Sequence, residues 1–221
     1  PEQGIGLTGL LGGMVSSTSV TLSLSERSRR DTWLGSSFAL AIIVAWTVMF
    51  ARVIIYVGIL SRPLLAEIWL PLAVSGLLGI AYTWILARSH RAAAQEREKM
   101  EFSNPLDLWA AIKFGLIYAL ILVVARSAQL YFGNPGILVS SILAGLADVD
   151  AITLSLTELT KRNEIGLDIA GLAVVLATMS NTVVKGGIVI FTGHPNLRKA
   201  ILPGFLLILA AGIILAVITF A

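Results

Sequence analysis

Residues 4–26 read GIGLTGLLGGMVSSTSVTLSLSE, and residues 136–158 read GILVSSILAGLADVDAITLSLTE. Nine of the 23 aligned positions are identical at a constant offset of 132 residues, Thr21-Leu22-Ser23-Leu24 falling on Thr153-Leu154-Ser155-Leu156 and Glu26 on Glu158. The same offset pairs Arg29-Arg30 with Lys161-Arg162 and Leu70-Pro71 with Leu202-Pro203. Agreement in three places without a gap marks an internal duplication.

The surrounding sequence says what kind of unit is duplicated. Of 221 residues, 57% are hydrophobic and only 13% are charged, and the mean hydropathy is +0.88. Soluble domains carry roughly 25% charged residues. A soluble enzyme, a secreted disulfide domain and a disordered chain are all poor fits. Bilayer-spanning helices need about 20 mostly apolar residues. Such runs occur at 35–60, 67–88, 107–132, 136–160, 167–192 and 199–221, with a seventh, Gly/Ser/Thr-rich run at 4–26. A transmembrane β-barrel would alternate instead. The expectation is an all-α, polytopic membrane helix bundle of about seven transmembrane helices.

In that scheme the first repeat covers 1–104: helices 4–26, 35–60 and 67–88, then a hydrophilic loop at 89–104. The second covers 105–221, with helices 107–132, 136–160, 167–192 and 199–221. The helix at 107–132 has no partner, so its counterpart is expected upstream of Pro1, in a processed or fragmentary chain. Four crossings between equivalent helices predict parallel repeats. Re-entrant helices at 4–26 and 136–160 would invert them. The basic loops after both segments favour the parallel case. Alternating sides puts nine bases, Arg27 to Arg30, Arg88 to Lys99, and Lys161-Arg162, on one face. Three, Arg62, Arg198 and Lys199, fall on the other. The positive-inside bias then predicts the N-terminus outside and the C-terminus inside.

The chain has no cysteine and only two histidines, His90 and His194, both in polar connections. That removes thiolate chemistry, disulfides and most zinc sites. No nucleophile–base pair or phosphate loop is present, so no enzyme is expected, and no organic cofactor. The basic residues sit between apolar runs, which speaks for lipid and against nucleic acid as a partner.

The run GLTGLLGGMVSSTSVTLSLSERSRRD, the later GLADVDAITLSLTEL and the stretch SNTVVKGG at 180–187 resemble an uncharacterised bacterial membrane domain. That domain commonly follows an MgtC/SapB-type domain in one polypeptide. The resemblance implies a multi-pass protein of the bacterial inner membrane with upstream membrane segments. It carries over no functional residues. Its link to ion homeostasis is one of association.

The candidate site rests on Asp148 and Asp150, mid-segment in 136–160. An acid at the bilayer centre costs roughly 2.5–3.5 kcal/mol on insertion scales, so it faces a cavity or a partner. On a regular helix the two side chains diverge by about 200°, so a shared site needs a local break. Two readings stay open. In one, the acids bind a cation or carry a proton, as a metal or ion site. In the other they form structural pairs with Lys185, Arg52 or Arg126. The matching positions, Ser16 and Thr18, with Thr21, Thr153 and Asn181, are expected to line a polar path. The small-residue patterns Gly9-x-x-x-Gly13 and Ser141-x-x-x-Gly145 are expected to hold helices 4–26 and 136–160 together. Lys113 and Lys185 are expected within snorkelling reach of helix ends. The tryptophans Trp33, Trp46, Trp69, Trp84 and Trp109 are expected mostly as interfacial anchors. The functional expectation is a transport protein or channel for an ion, a cation more than an anion. The alternative is a non-transporting regulatory or assembly module, and a homodimer would cover exposed faces in either case.

Overall fold

The computed structural model describes residues 2–90 and 132–220. The expected helix at 107–132, with Lys113, Arg126 and Trp109, lies outside the described residues apart from Phe132. The described chain is a helical membrane bundle: α1 (Glu2–Arg27), a 3-10 turn (Thr32–Leu34), α2 (Gly35–Leu60), α3 (Arg62–His90), α4 (Phe132–Ala147), α5 (Val149–Lys161), α6 (Leu167–Thr192) and α7 (Pro195–Phe220). Segments Thr32–Leu60, Arg62–Arg88, Leu167–Thr192 and Pro195–Phe220 are long and apolar enough to cross a membrane. Pro195 opens α7, where its missing N–H costs nothing, and α3 begins five residues before the expected 67.

The helices expected at 4–26 and 136–160 are both interrupted, at positions 132 residues apart. Ser16 has φ −159° and ψ 105° inside α1. Asp148 has φ −154° and ψ 129° between α4 and α5. Each is extended backbone in the middle of an apolar run. After Ser16 the chain folds back, so that a side chain at Gly12 would collide with Val20. In a straight helix those residues stand about 12 Å apart. The first half of α1 runs along α2, Gly9 facing Ala41 and Gly13 facing Ala45. The second half returns, with Thr21 against Trp46 and Ser28 at the end of α6.

The α4–α5 pair repeats this plan against α6. Gly145 presses on the Ala177 backbone, the equivalent of Gly13 on Ala45. Ser180 and Asn181 donate to Ile142 O and Gly145 O, so α4 runs alongside α6 in the same direction. The α5 helix then runs back toward the start of α6, and the turn after it passes through Asn163, which takes φ 58°, a left-handed conformation that Asn tolerates. The small residues therefore seat each hairpin on the spanning helix of its own repeat. The expected use of Gly9, Gly13 and Gly145 to join helices 4–26 and 136–160 is not what they do.

Contacts between the repeats fix their relative direction. Arg29 donates to Thr192 O at 2.6 Å and to Phe191 O at 2.9 Å, a cation covering the last carbonyls of α6. Asn196 donates to Thr32 O, and Gly35 lies against Asn196 and Leu197. The start of α2 thus shares a face with the end of α6 and the start of α7. On the opposite face, Gly171 near the start of α6 meets Glu67 and Phe220. There Lys161 and Asn163 border a cavity with Leu60, Ser61 and Arg62.

Equivalent helices α2 and α6 consequently run antiparallel, as do α3 and α7. The repeats are inverted, and the expected parallel arrangement is overturned. The physical reason is the break: a segment that turns back at mid-depth adds no crossing. The count of nine bases on one face falls with it, since Lys161 and Arg162 lie opposite Arg27, Arg29 and Arg30. Arg30→Cys and Asn196→Cys are expected to react with an impermeant maleimide from one side of the membrane, and Glu164→Cys from the other. Labelling of Arg30→Cys and Glu164→Cys from the same side would restore the parallel arrangement.

Candidate functional site

The two hairpin tips meet. Ser16, Ser17 and Thr18 of the first, and residues 147–150 of the second, line one cavity of about 130 Å³. Behind them stand Met49 and Arg52 of α2 and Asn181 of α6. Met49 and Asn181 are repeat equivalents, so the cavity sits at the pseudo-two-fold position. A water takes roughly 30 Å³ of liquid volume, so this space suits a few waters or a small solute.

Each break exposes backbone groups that the bilayer cannot satisfy, and the local sequence supplies partners. Ser16 Oγ accepts from the Ser19 amide at 3.2 Å. Asp148 Oδ1 accepts from the Asp150 amide at 2.8 Å. Both are N-caps of the outgoing half-helices, built by equivalent residues. The ends of the incoming halves are covered as well: Arg52 Nη1 donates to Met14 O at 2.8 Å, and Asn181 Nδ2 to Gly145 O at 2.8 Å. Arg52 also forms an ion pair with Asp150, Nη2 to Oδ2 at 2.5 Å. This one side chain therefore ties the first tip to the second. The pair is incomplete: Arg52 Nε and Asp150 Oδ1 are buried without a hydrogen-bond partner among the described residues.

Lys185 is fully buried. Its ammonium points inward to the Met49 sulfur at 2.7 Å and does not snorkel; of the two bases expected to pair with the acids, Arg52 forms an ion pair and Lys185 forms none among the described residues. It lies within electrostatic reach of Arg52, Asp148 and Asp150. Arg52 stands about 12 Å from the end of α2, and Lys185 about 10 Å from the end of α6, at 1.5 Å per residue. Those helix ends lie on opposite faces, so the two bases flank the tips from opposite sides.

Of the residues expected along a polar path, Ser16, Thr18, Asp148, Asp150 and Asn181 border the cavity, and Lys185 lies behind Met49. Thr21 and Thr153 do not reach it. Both are fully buried and bond back to Ser17 O and Val149 O, each at 2.7 Å. Asp148 caps a helix and Asp150 holds a guanidinium. No cluster of three or more His, Cys, Asp or Glu suited to a metal occurs among the described residues.

Sequence reading did not assign Met49, or the coverage of Met14 O by Arg52. It also misplaced Trp46, which is fully buried, donates to Thr21 Oγ1 at 2.9 Å and meets Phe205 edge-on at 6.1 Å. Trp33, Trp69 and Trp84 are exposed near helix ends or along the lipid side.

The chain matches, over residues 1–193, the family described as Domain of unknown function (DUF4010). It belongs to that family. The chain is also 38% identical over 192 residues to an uncharacterised protein of Aquifex aeolicus, covering 87% of this chain and 84% of the relative. No solved structure matches. DUF4010 thus supplies a family without an activity, and the chemistry has to be argued from the tips themselves.

If the main structural duty of Asp148 is the cap, Asp148→Ala should lower stability by about 1 kcal/mol, and Asp148→Asn by much less, because Asn caps as well as Asp. Thermal melts of the detergent-solubilised protein separate the two. Equal losses would place the weight on charge instead of the cap.

Proposed function

We propose that this DUF4010 protein is a membrane transport protein or channel for an ion. The hairpin-tip cavity is its substrate site. One observation carries the reading: two inverted re-entrant hairpins converge on a polar, charged cavity in an otherwise apolar bundle. Irregular backbone at membrane depth is tolerated where it is buried in protein or lines a water-filled space. Inverted repeats with broken helices at their interface suit alternating access, in which one repeat rocks against the other. The ion pair of Arg52 with Asp150 crosses that interface, so it makes and breaks as the repeats move. The protein is not an enzyme in this reading.

The bacterial inner membrane is the proposed location. Arg27, Arg29, Arg30, Arg88, Arg198 and Lys199 share one face, against Arg62, Lys161 and Arg162 on the other. The positive-inside bias places the first face in the cytoplasm and Phe220 outside, which reverses the orientation expected from sequence. An upstream MgtC/SapB-type segment and a second copy of the chain are the proposed partners. The exposed side of α7, with Leu206, Ile213, Val217 and Ile218, faces lipid or that copy.

The competing reading is a non-transporting assembly module, favoured by the ion pair already formed across the repeats. Solvent access to the tips discriminates. The chain is naturally free of cysteine, so Thr18→Cys is a single probe. A transporter should let an impermeant thiol reagent reach it from both sides, and modification should block flux in liposomes. Protection from both sides would favour the assembly module.

A further inference from the structure

We infer that the substrate is a small anion and that it travels with a proton held on Asp150. The inference rests on the transport reading above and names its substrate class. It starts from charge balance in the cavity. Two acids, Asp148 and Asp150, and one base, Arg52, line it, and a second base, Lys185, lies behind Met49. Among the described residues α2 and α6 pack against α5, and Arg52 and Lys185 are their charges at this site. The first tip, Met14 to Thr18, carries none. The formal charges of these four side chains cancel. A bare cation or a bare anion would leave one uncompensated charge at mid-membrane, where charge is most costly.

An anion together with a proton leaves the balance intact. The proton binds a carboxylate oxygen of Asp150 and releases Arg52. The freed guanidinium then pairs with the anion, and on the far side both leave and the ion pair closes again. The unfilled valences suit this exchange: Asp150 Oδ1 is an acceptor without a donor, and Arg52 Nε a donor without an acceptor, among the described residues.

A cation finds less. Asp148 is engaged as a cap. The carbonyls Met14 O and Gly145 O, at the negative ends of the incoming half-helices, are already covered by Arg52 and Asn181. The outgoing half-helices, residues 17–27 and 149–161, begin at the cavity and turn their positive dipole ends toward it. A volume of about 130 Å³ holds an ion of a few heavy atoms.

The test uses the full chain in liposomes containing a pH-sensitive dye, with inward gradients of chloride or nitrate as probes and anion uptake read in parallel with an ion-selective electrode. At least one of these gradients should acidify the lumen in the wild type. Arg52→Gln should slow that uptake at least about tenfold, a conservative figure for a lost charge contact. Asp150→Asn should let the anion pass without acidification. Because each single variant strands a charge, the double variant Arg52→Gln/Asp150→Asn, which keeps a neutral hydrogen-bonded pair, serves as the control that folds. It should elute as the wild type does and lose the proton linkage.

Flux driven by sodium or potassium gradients, with no anion flux, would overturn the anion assignment and leave the transport reading standing. Anion flux without acidification in the wild type would overturn the proton linkage. No flux of any of these ions, with Thr18→Cys protected from both sides, would remove the transport reading as well.

Discussion

A backbone that stops being helical inside a bilayer must find hydrogen bonds from within the protein. That constraint organises this molecule. Ser16 and Asp148 each interrupt a helix at mid-depth, and each cap begins the return. What the caps leave open on the incoming side is covered from the spanning helices, by Arg52 on one hairpin and Asn181 on the other. The tips are polar because broken backbone requires it, and they meet because the inverted repeats bring both breaks to the same depth.

The two copies of the duplication differ in kind where the tips meet. Packing positions are kept: Gly13 against Ala45 matches Gly145 against Ala177, and the back-bond of Thr21 matches that of Thr153. At the site the copies differ. Ser16 stands where the second copy has Asp148, Thr18 where it has Asp150, and Met49 where it has Asn181. Arg52 and Lys185 are one position out of register on their helices. An assembly built for packing alone has no need of this asymmetry. One tip supplies hydroxyls and the other acids, and each spanning helix brings one base from its own side. The result is a charged cluster in which a single guanidinium links both tips.

Much of this was legible in the residues. Apolar run lengths identified the bundle, and the constant offset identified the duplication. Asp148 and Asp150 signalled a break, because a regular helix cannot present both to one cavity. Direction was not legible. Hydropathy measures length, and a helix that reverses has the same length as one that crosses. The basic loops after the first and fifth segments misled for a related reason. Arg29 is there to cover carbonyls at the end of α6, so an equivalent base on each hairpin marks opposite faces. Gly12, whose missing side chain makes room for Val20, was the residue that signalled reversal. It was hidden beside Gly13, which has an ordinary packing explanation. Trp46 was misjudged because its partner, Thr21, comes close only once α1 has turned back.

Everything functional depends on the reversal of the two broken helices, and a distance measurement on the second one tests it most directly. Spin labels at Phe132 and Lys161, read by pulsed electron resonance in lipid, bracket α4 and α5. An uninterrupted crossing would hold the two positions about 44 Å apart, at 1.5 Å per residue. The hairpin predicts well under half of that separation. A distance near the straight-helix value would contradict the inverted architecture and the site built on it.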